Sequence, residues 1–132
     1  MGALLFKLGI VPDLIISSSA KRTRQTAKRI AREVGYETDN IKWAEKLYHC
    51  TPSIFEEVIY EVSEDVKTVF IVAHNPGITD FVNEQDPAFF IENMPTCGIA
   101  GIEFEADNWI NYAIEKRKVF LFEYPGKHDD AQ

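Results

Sequence analysis

The stretch Thr68-Val69-Phe70-Ile71-Val72-Ala73 constrains the fold more than any other. It has no polar side that could face water, so it reads as a strand enclosed by helices at the centre of a parallel sheet. The sequence on either side supplies the helices. Ala3 to Leu8 reads as the end of a helix stopped at Gly9, with Pro12 beyond it. Leu14 to Ile16 is a short buried strand. Ala20 to Val34 is a helix with Ala27, Ile30, Ala31 and Val34 on one stripe and Gly35 as its stop. Ile41 to Trp43 is a further short strand. Thr51-Pro52 opens the next helix, with proline at its first position and Ile54, Phe55, Val58, Ile59 and Val62 turned inward. Asn75-Pro76 opens another through Phe81 and Val82. Gly98 to Phe104 and Lys118 to Tyr124 are late strands, the second alternating as an edge strand does. Alternation of α and β elements around continuous apolar strands predicts a three-layer α/β/α sandwich with a mainly parallel central sheet.

Residues 1–125 fit one domain, and the polar residues 126–132 read as a disordered tail. No apolar run approaches the roughly 20 residues of a membrane span, and Met1 to Pro12 lacks the basic opening of a signal peptide. A cytoplasmic protein without membrane contact is expected. Cys50 and Cys97 then read as free thiols.

The net charge of −7 is unevenly spread. Residues 1–34 hold seven Lys or Arg against Asp13 and Glu33, whereas the remainder holds seven against nineteen acids. An acidic body argues against nucleic acid, which wants a broad basic face. It suits a small anion drawn to one positive spot.

Two junctions offer that spot. Ile15-Ile16-Ser17-Ser18-Ser19-Ala20-Lys21-Arg22 and Val69-Phe70-Ile71-Val72-Ala73-His74-Asn75-Pro76-Gly77 both pass from an apolar strand through small or polar residues into a helix. In open α/β sheets ligands gather beyond the C-terminal ends of strands, and a helix start presents unpaired N–H groups. The first helix also opens on Lys21, Arg22 and Arg24 and has no acid before Glu33. That order opposes the helix dipole by roughly 0.3–1 kcal/mol per charge, and a bound anion reverses the sign. Lys21 and Arg24 read as solvated charges; Arg22 reads as a phosphate fork. His74, at the mouth of a buried strand, can donate to a phosphoryl oxygen. Ser18 and Asn75 complete the phosphate-binding set, each doubling as a helix cap, and Gly77 allows a close backbone approach to a ligand.

Other phosphate chemistries lack their signatures. No Cys is followed six positions later by Arg, no Asp-x-Asp follows the first strand, and no G-x-x-x-x-G-K-[ST] occurs. No His, Cys and carboxylate set has metal-ligand spacing, and no cofactor is expected.

Ser18-Ser19-Ala20-Lys21-Arg22-Thr23-Arg24-Gln25-Thr26-Ala27, Leu47-Tyr48, Ala73-His74-Asn75-Pro76-Gly77 and Thr96-Cys97-Gly98-Ile99-Ala100 occur in that order. Together they resemble the histidine phosphatase superfamily, which has the phosphoglycerate mutase-like fold, and within it the small SixA-like phosphohistidine phosphatases. The resemblance implies a metal-free hydrolase acting on a phosphorylated substrate, a phosphohistidine protein or a small phosphate ester. It implies transfer through a phosphoenzyme, with Arg22 and His74 holding the phosphoryl group. His49, in the loop after Leu47-Tyr48, stands near the family's proton donor.

The family's nucleophilic histidine belongs to an Arg-His-Gly motif on a central first strand, and this sequence has none; His49, His74 and His128 are its only histidines. The expectation is therefore a domain lacking that strand, the catalytic loop and half a helix at its N-terminus, for example through a misassigned start. Such a chain is catalytically impaired. The alternative is a native, non-catalytic phosphate-binding or interaction remnant, dimeric through the exposed sheet edge.

Overall fold

The computed structural model describes residues 1–127. Its elements run α1 (Gly2–Lys7), β1 (Leu14–Ser18), α2 (Lys21–Val34), β2 (Lys42–Ala44), α3 (Pro52–Tyr60), β3 (Val69–Val72), α4 (Gly77–Asn83), β4 (Ile99–Glu103) and β5 (Lys118–Glu123). Short 3-10 turns cover Thr38–Asn40, Glu45–Leu47 and Trp109–Ala113. The first two α-helices stop where the sequence places glycine: Gly9 and Gly35 both take φ of +77°, a left-handed turn that other residues rarely adopt. Beyond them, the Ile10 N–H returns to the Leu5 carbonyl and the Tyr36 N–H to Ala31, closing each helix end.

Strands β1, β2 and β3 form a parallel sheet in the order β2-β1-β3. Opposite Ser17 of β1 stand Trp43 of β2 and Val72 of β3, so all three strands finish level with one another. Alternation along the strands divides the interior into two layers. Ile15 packs with Ala27, Ala31 and Ile41, and with Phe70 and Val72 at its margin, beneath α2. Ile16 turns the other way into a larger core with Leu47, Phe55, Val58, Ile59 and Phe81, under α3 and α4. Phe55 and Phe81 stack with ring centroids 4.6 Å apart, joining those two helices. The result is the expected three-layer α/β/α arrangement.

Three details differ from the sequence expectations. First, β3 is half-buried along its length and among the described residues pairs with β1 alone, so it forms an outer strand of its sheet and not the centre. Second, β4 and β5 pair antiparallel in a sheet of their own. The free edges of β3 and β4 line a common cleft of about 570 Å³, whose other walls include Leu5, Ile30, Phe55 and Phe81. This is why a stretch apolar on both sides is not enclosed. Ile30, expected on the inner stripe of α2, is only partly covered because it too borders this cleft. Third, the expected tail begins in ordered chain: the Lys127 N–H donates to the Tyr124 carbonyl at 3.1 Å. Residues 128–132, with His128, lie outside the described residues.

Candidate active site

Because the three parallel strands end in register, the segments that follow them leave the sheet at one rim. The segment after β1 runs through Ser19 and Ala20 to Arg22. The segment after β2 runs through the Glu45–Leu47 turn to Tyr48 and His49. The segment after β3 carries His74, Asn75, Pro76 and Gly77.

Hydroxyl groups fix the first of these. Thr23 Oγ1 donates to the carbonyls of Ser18 (3.0 Å) and Ala20 (2.9 Å). Ser17 Oγ donates to the Ser18 carbonyl at 2.9 Å. The serines therefore do not cap α2 as expected: its N-cap is Ala20, and no side chain accepts from the first turn. Ser18 is 0% exposed, and its Oγ accepts the Ala20 N–H at 3.3 Å. One turn on, Arg22 is exposed, and no hydrogen bond or ion pair engages it among the described residues. The start of α2 thus combines free N–H groups, no first-turn acid and an unengaged guanidinium.

β2 and β3 flank β1 on opposite sides, yet their loops meet. The Tyr48 ring stands edge-on to His74, with centroids 5.9 Å apart and planes at 88°. On the same ring, His49 makes a second such contact at 4.6 Å and 75°. The two imidazoles predicted as site residues therefore converge on one phenol. Tyr48 is 45% exposed, so this aromatic group faces solvent at the rim. Sequence reasoning took Tyr48 only as part of a resemblance; the exposed aromatic next to a buried leucine was the signal available.

The third segment is held from beneath. Asn75 Nδ2 donates to the Met94 carbonyl at 3.0 Å, and its Oδ1 accepts from Thr79 Oγ1 at 2.5 Å. The Met94 N–H donates to Thr79 Oγ1 at 2.8 Å, closing the network. Asn75, expected as the cap, precedes the N-cap, which is Pro76. Gly77 is needed for a close approach, but the group approached is protein. A Cβ at Gly77 would lie 2.3 Å from the Cys50 carbonyl oxygen. Cys50 is half-buried there, and burial pushes its thiol above the usual range against a smaller opposing effect from a backbone hydrogen bond.

The rim thus gathers two imidazoles on one phenol, and the segment that follows β1 at the same end of the sheet carries the Arg22 guanidinium. Glu45 is the one carboxylate in the three segments, and Lys46 is occupied at 2.9 Å by Glu61. Hydrogen-bond donors outnumber anions, which is the balance an oxyanion requires.

No family model matches the chain. It is 27% identical over 114 residues to an uncharacterized chloroplastic protein of Arabidopsis thaliana, an alignment covering 80% of this chain and 51% of that protein. It is 28% identical over 121 residues to an uncharacterized protein of Mycobacterium leprae, covering 86% and 71%. The chain therefore spans about half the length of the first relative. Among solved structures it is similar to a protein of Agrobacterium tumefaciens designated phosphohistidine phosphatase SixA. The TM-score is 0.69 at 20% identity, over 94% of this chain and 75% of that one. A Nakamurella multipartitia protein with the same designation gives a TM-score of 0.74 at 17% identity, over 93% and 77%. The chain has the SixA fold. In this SixA-like domain Arg22, His49 and His74 all follow the C-terminal ends of parallel strands, where that type of fold gathers its ligands. No described helix is long and apolar enough to cross a membrane.

Proposed function

We propose that this chain binds a phosphoryl group at the rim formed by Arg22 and His74, as part of a phosphohistidine phosphatase-like hydrolase. The observation that supports the reading is the convergence of His74 and His49 on the Tyr48 ring, in loops that leave the sheet at the same end as the segment carrying the exposed Arg22. Arg22 supplies a planar pair of N–H donors to two phosphoryl oxygens, and His74 donates to another. Donors held before the reaction stabilise charge spread over the equatorial oxygens of a transferring phosphoryl group. His49 stands on the other side of Tyr48, placed to protonate a leaving group. Ser18 and Asn75 are spent on the turns that carry Arg22 and His74, which makes them positioning residues in this reading.

The sequence has no Arg-His-Gly, so none of these histidines takes the nucleophile's part. The 132-residue chain accordingly binds phosphate but turns over phosphohistidine slowly or not at all. It acts as one domain over residues 1–125, in the cytoplasm, without cofactor, metal or nucleic acid. Inorganic phosphate or vanadate at a hundred times its dissociation constant should stabilise the fold by about 2.7 kcal/mol. Arg22→Ala should abolish that protection while leaving the ligand-free unfolding midpoint unchanged. Absence of protection in the wild-type chain rejects the reading. Rapid hydrolysis of phosphoramidate, lost in His74→Ala, would reject the inactivity instead.

One observation favours a second reading. The unpaired edges of β3 and β4 face a shared apolar cleft, so an additional strand, including one from a second copy, would complete both ladders. A protein of this kind acts by association. It would sediment as a dimer at micromolar concentration and show no phosphate protection.

A further inference from the structure

Arg22 accounts for only one of the six cations on α2. Lys21, Arg24, Lys28, Arg29 and Arg32 are the others, and no carboxylate pairs with any of them among the described residues. Lys21, Arg24 and Lys28 recur at i, i+3 and i+7, which puts them on one face, where with Gln25 they line a shallow depression. The middle cation is not a loose surface charge. The Arg24 guanidinium lies 5.4 Å from the centre of the Trp43 ring, on the outer strand β2. Trp43 is 38% exposed, so an apolar plate lies open beside the charges and holds the guanidinium over itself. An exposed tryptophan with a fixed arginine is the composition of an interface anchor.

We propose that Lys21, Arg24, Lys28 and Trp43 form a docking surface for an acidic protein surface, on the same helix that carries Arg22. Charge complementarity selects this occupant. The patch is the cationic exception on a chain of net charge −7, so an acidic partner is attracted here and repelled elsewhere. A duplex would need a basic face wider than two helical turns, and it would bring its phosphates against the acidic remainder. A small anion would occupy one or two of these cations and leave Trp43 unused. The identity of the partner as the phosphorylated substrate rests on the phosphatase reading; the docking surface does not.

The test uses a fluorescent decaglutamate peptide without any phosphoryl group, followed by anisotropy at low salt with the full chain. The wild-type chain should bind it. The triple variant Lys21→Gln, Arg24→Gln, Lys28→Gln should bind about tenfold more weakly, roughly twofold for each exposed pair. The single reversal Lys28→Glu should also weaken binding, so the result does not hang on one variant's folding. Trp43→Ala should weaken it further. Binding in a chain that shows no phosphate protection would uphold the surface and reject the phosphate pocket. Equal binding by wild type and triple variant would overturn the proposal. So would tighter binding of a DNA duplex of equal charge, or wild-type self-association that the triple variant abolishes.

Discussion

Replacing Gly77 by alanine tests whether the His74 segment is seated where the structure puts it. The added Cβ would stand 2.3 Å from the Cys50 carbonyl oxygen, 2.8 Å from its Sγ and 3.2 Å from its carbonyl carbon. The nearest atom is backbone and cannot rotate away, so α4 and the segment around Cys50 must separate by about 1 Å. Overpacking of this kind costs about 1–3 kcal/mol. Alanine recovers up to about 1 kcal/mol of helix propensity, less at the first helical position. The net loss should be about 1.5 kcal/mol, which moves a urea midpoint down by about 1 M for a domain of this size. Cys50→Ala in the Gly77→Ala background removes the Sγ contact but leaves the carbonyl, so it should restore less than half of the loss. A Gly77→Ala midpoint within about 0.2 M of wild type would refute the packing of α4 on the Cys50 segment, and with it the stated position of His74.

Asn75→Ala should cost about 1 kcal/mol, because it removes two hydrogen bonds while the Met94 carbonyl keeps Asn93 Nδ2 at 3.4 Å and Thr79 Oγ1 keeps the Met94 N–H at 2.8 Å; a chemical denaturation curve coincident with wild type would count against the network. The two cysteines should label at different rates: Cys97 is exposed, whereas Cys50 is half-buried with its thiol pKa pushed up by burial, so Cys97→Ser should remove the fast phase of maleimide labelling. The Asp86 carboxylate accepts N–H bonds from Ala88 at 2.9 Å and Val119 at 3.0 Å, which hold it below its ordinary value of 3.8. A depressed carboxyl contributes stability above that value and loses it as pH falls through the lower folded pKa. Asp86→Asn should therefore flatten the acid limb of the stability profile below pH 4, read as thermal midpoint against pH.

Much of this fold was legible because period and punctuation agree locally. In α2, Ala27, Ala31 and Val34 are buried as their spacing requires, and Gly35 ends the helix. What could not be read depended on partners distant in sequence. The serines before α2 look like capping groups, yet the Ser17 hydroxyl turns back onto the Ser18 carbonyl, and Thr23 Oγ1 bonds carbonyls of the same junction. Gly77 looks like room for a ligand, and the room is taken by a carbonyl 27 positions upstream. His49 and His74 meet at Tyr48 only because β2 and β3 lie parallel on either side of β1, a pairing order that no local pattern encodes. Strand β5 alternates as an edge strand should, but nothing within it announces β4 as its antiparallel neighbour.

The position of β3 decides how the site is held. A strand with neighbours on both sides would fix the residue at its end through two ladders, but among the described residues β3 has only β1. In the proposed site His74 must therefore be held from elsewhere, and two contacts fix its segment. One is the close seating of Gly77 on the Cys50 segment, which leaves no space for the turn to slide. The other is Asn75, whose side chain bonds both Met94 and Thr79 and ties the turn to the chain leading into β4. That chain lies across the cleft from β3. Asn75 therefore joins the two sheets at the rim where their hydrogen-bonded ladders do not meet, and the imidazole beside it inherits its position from that tie.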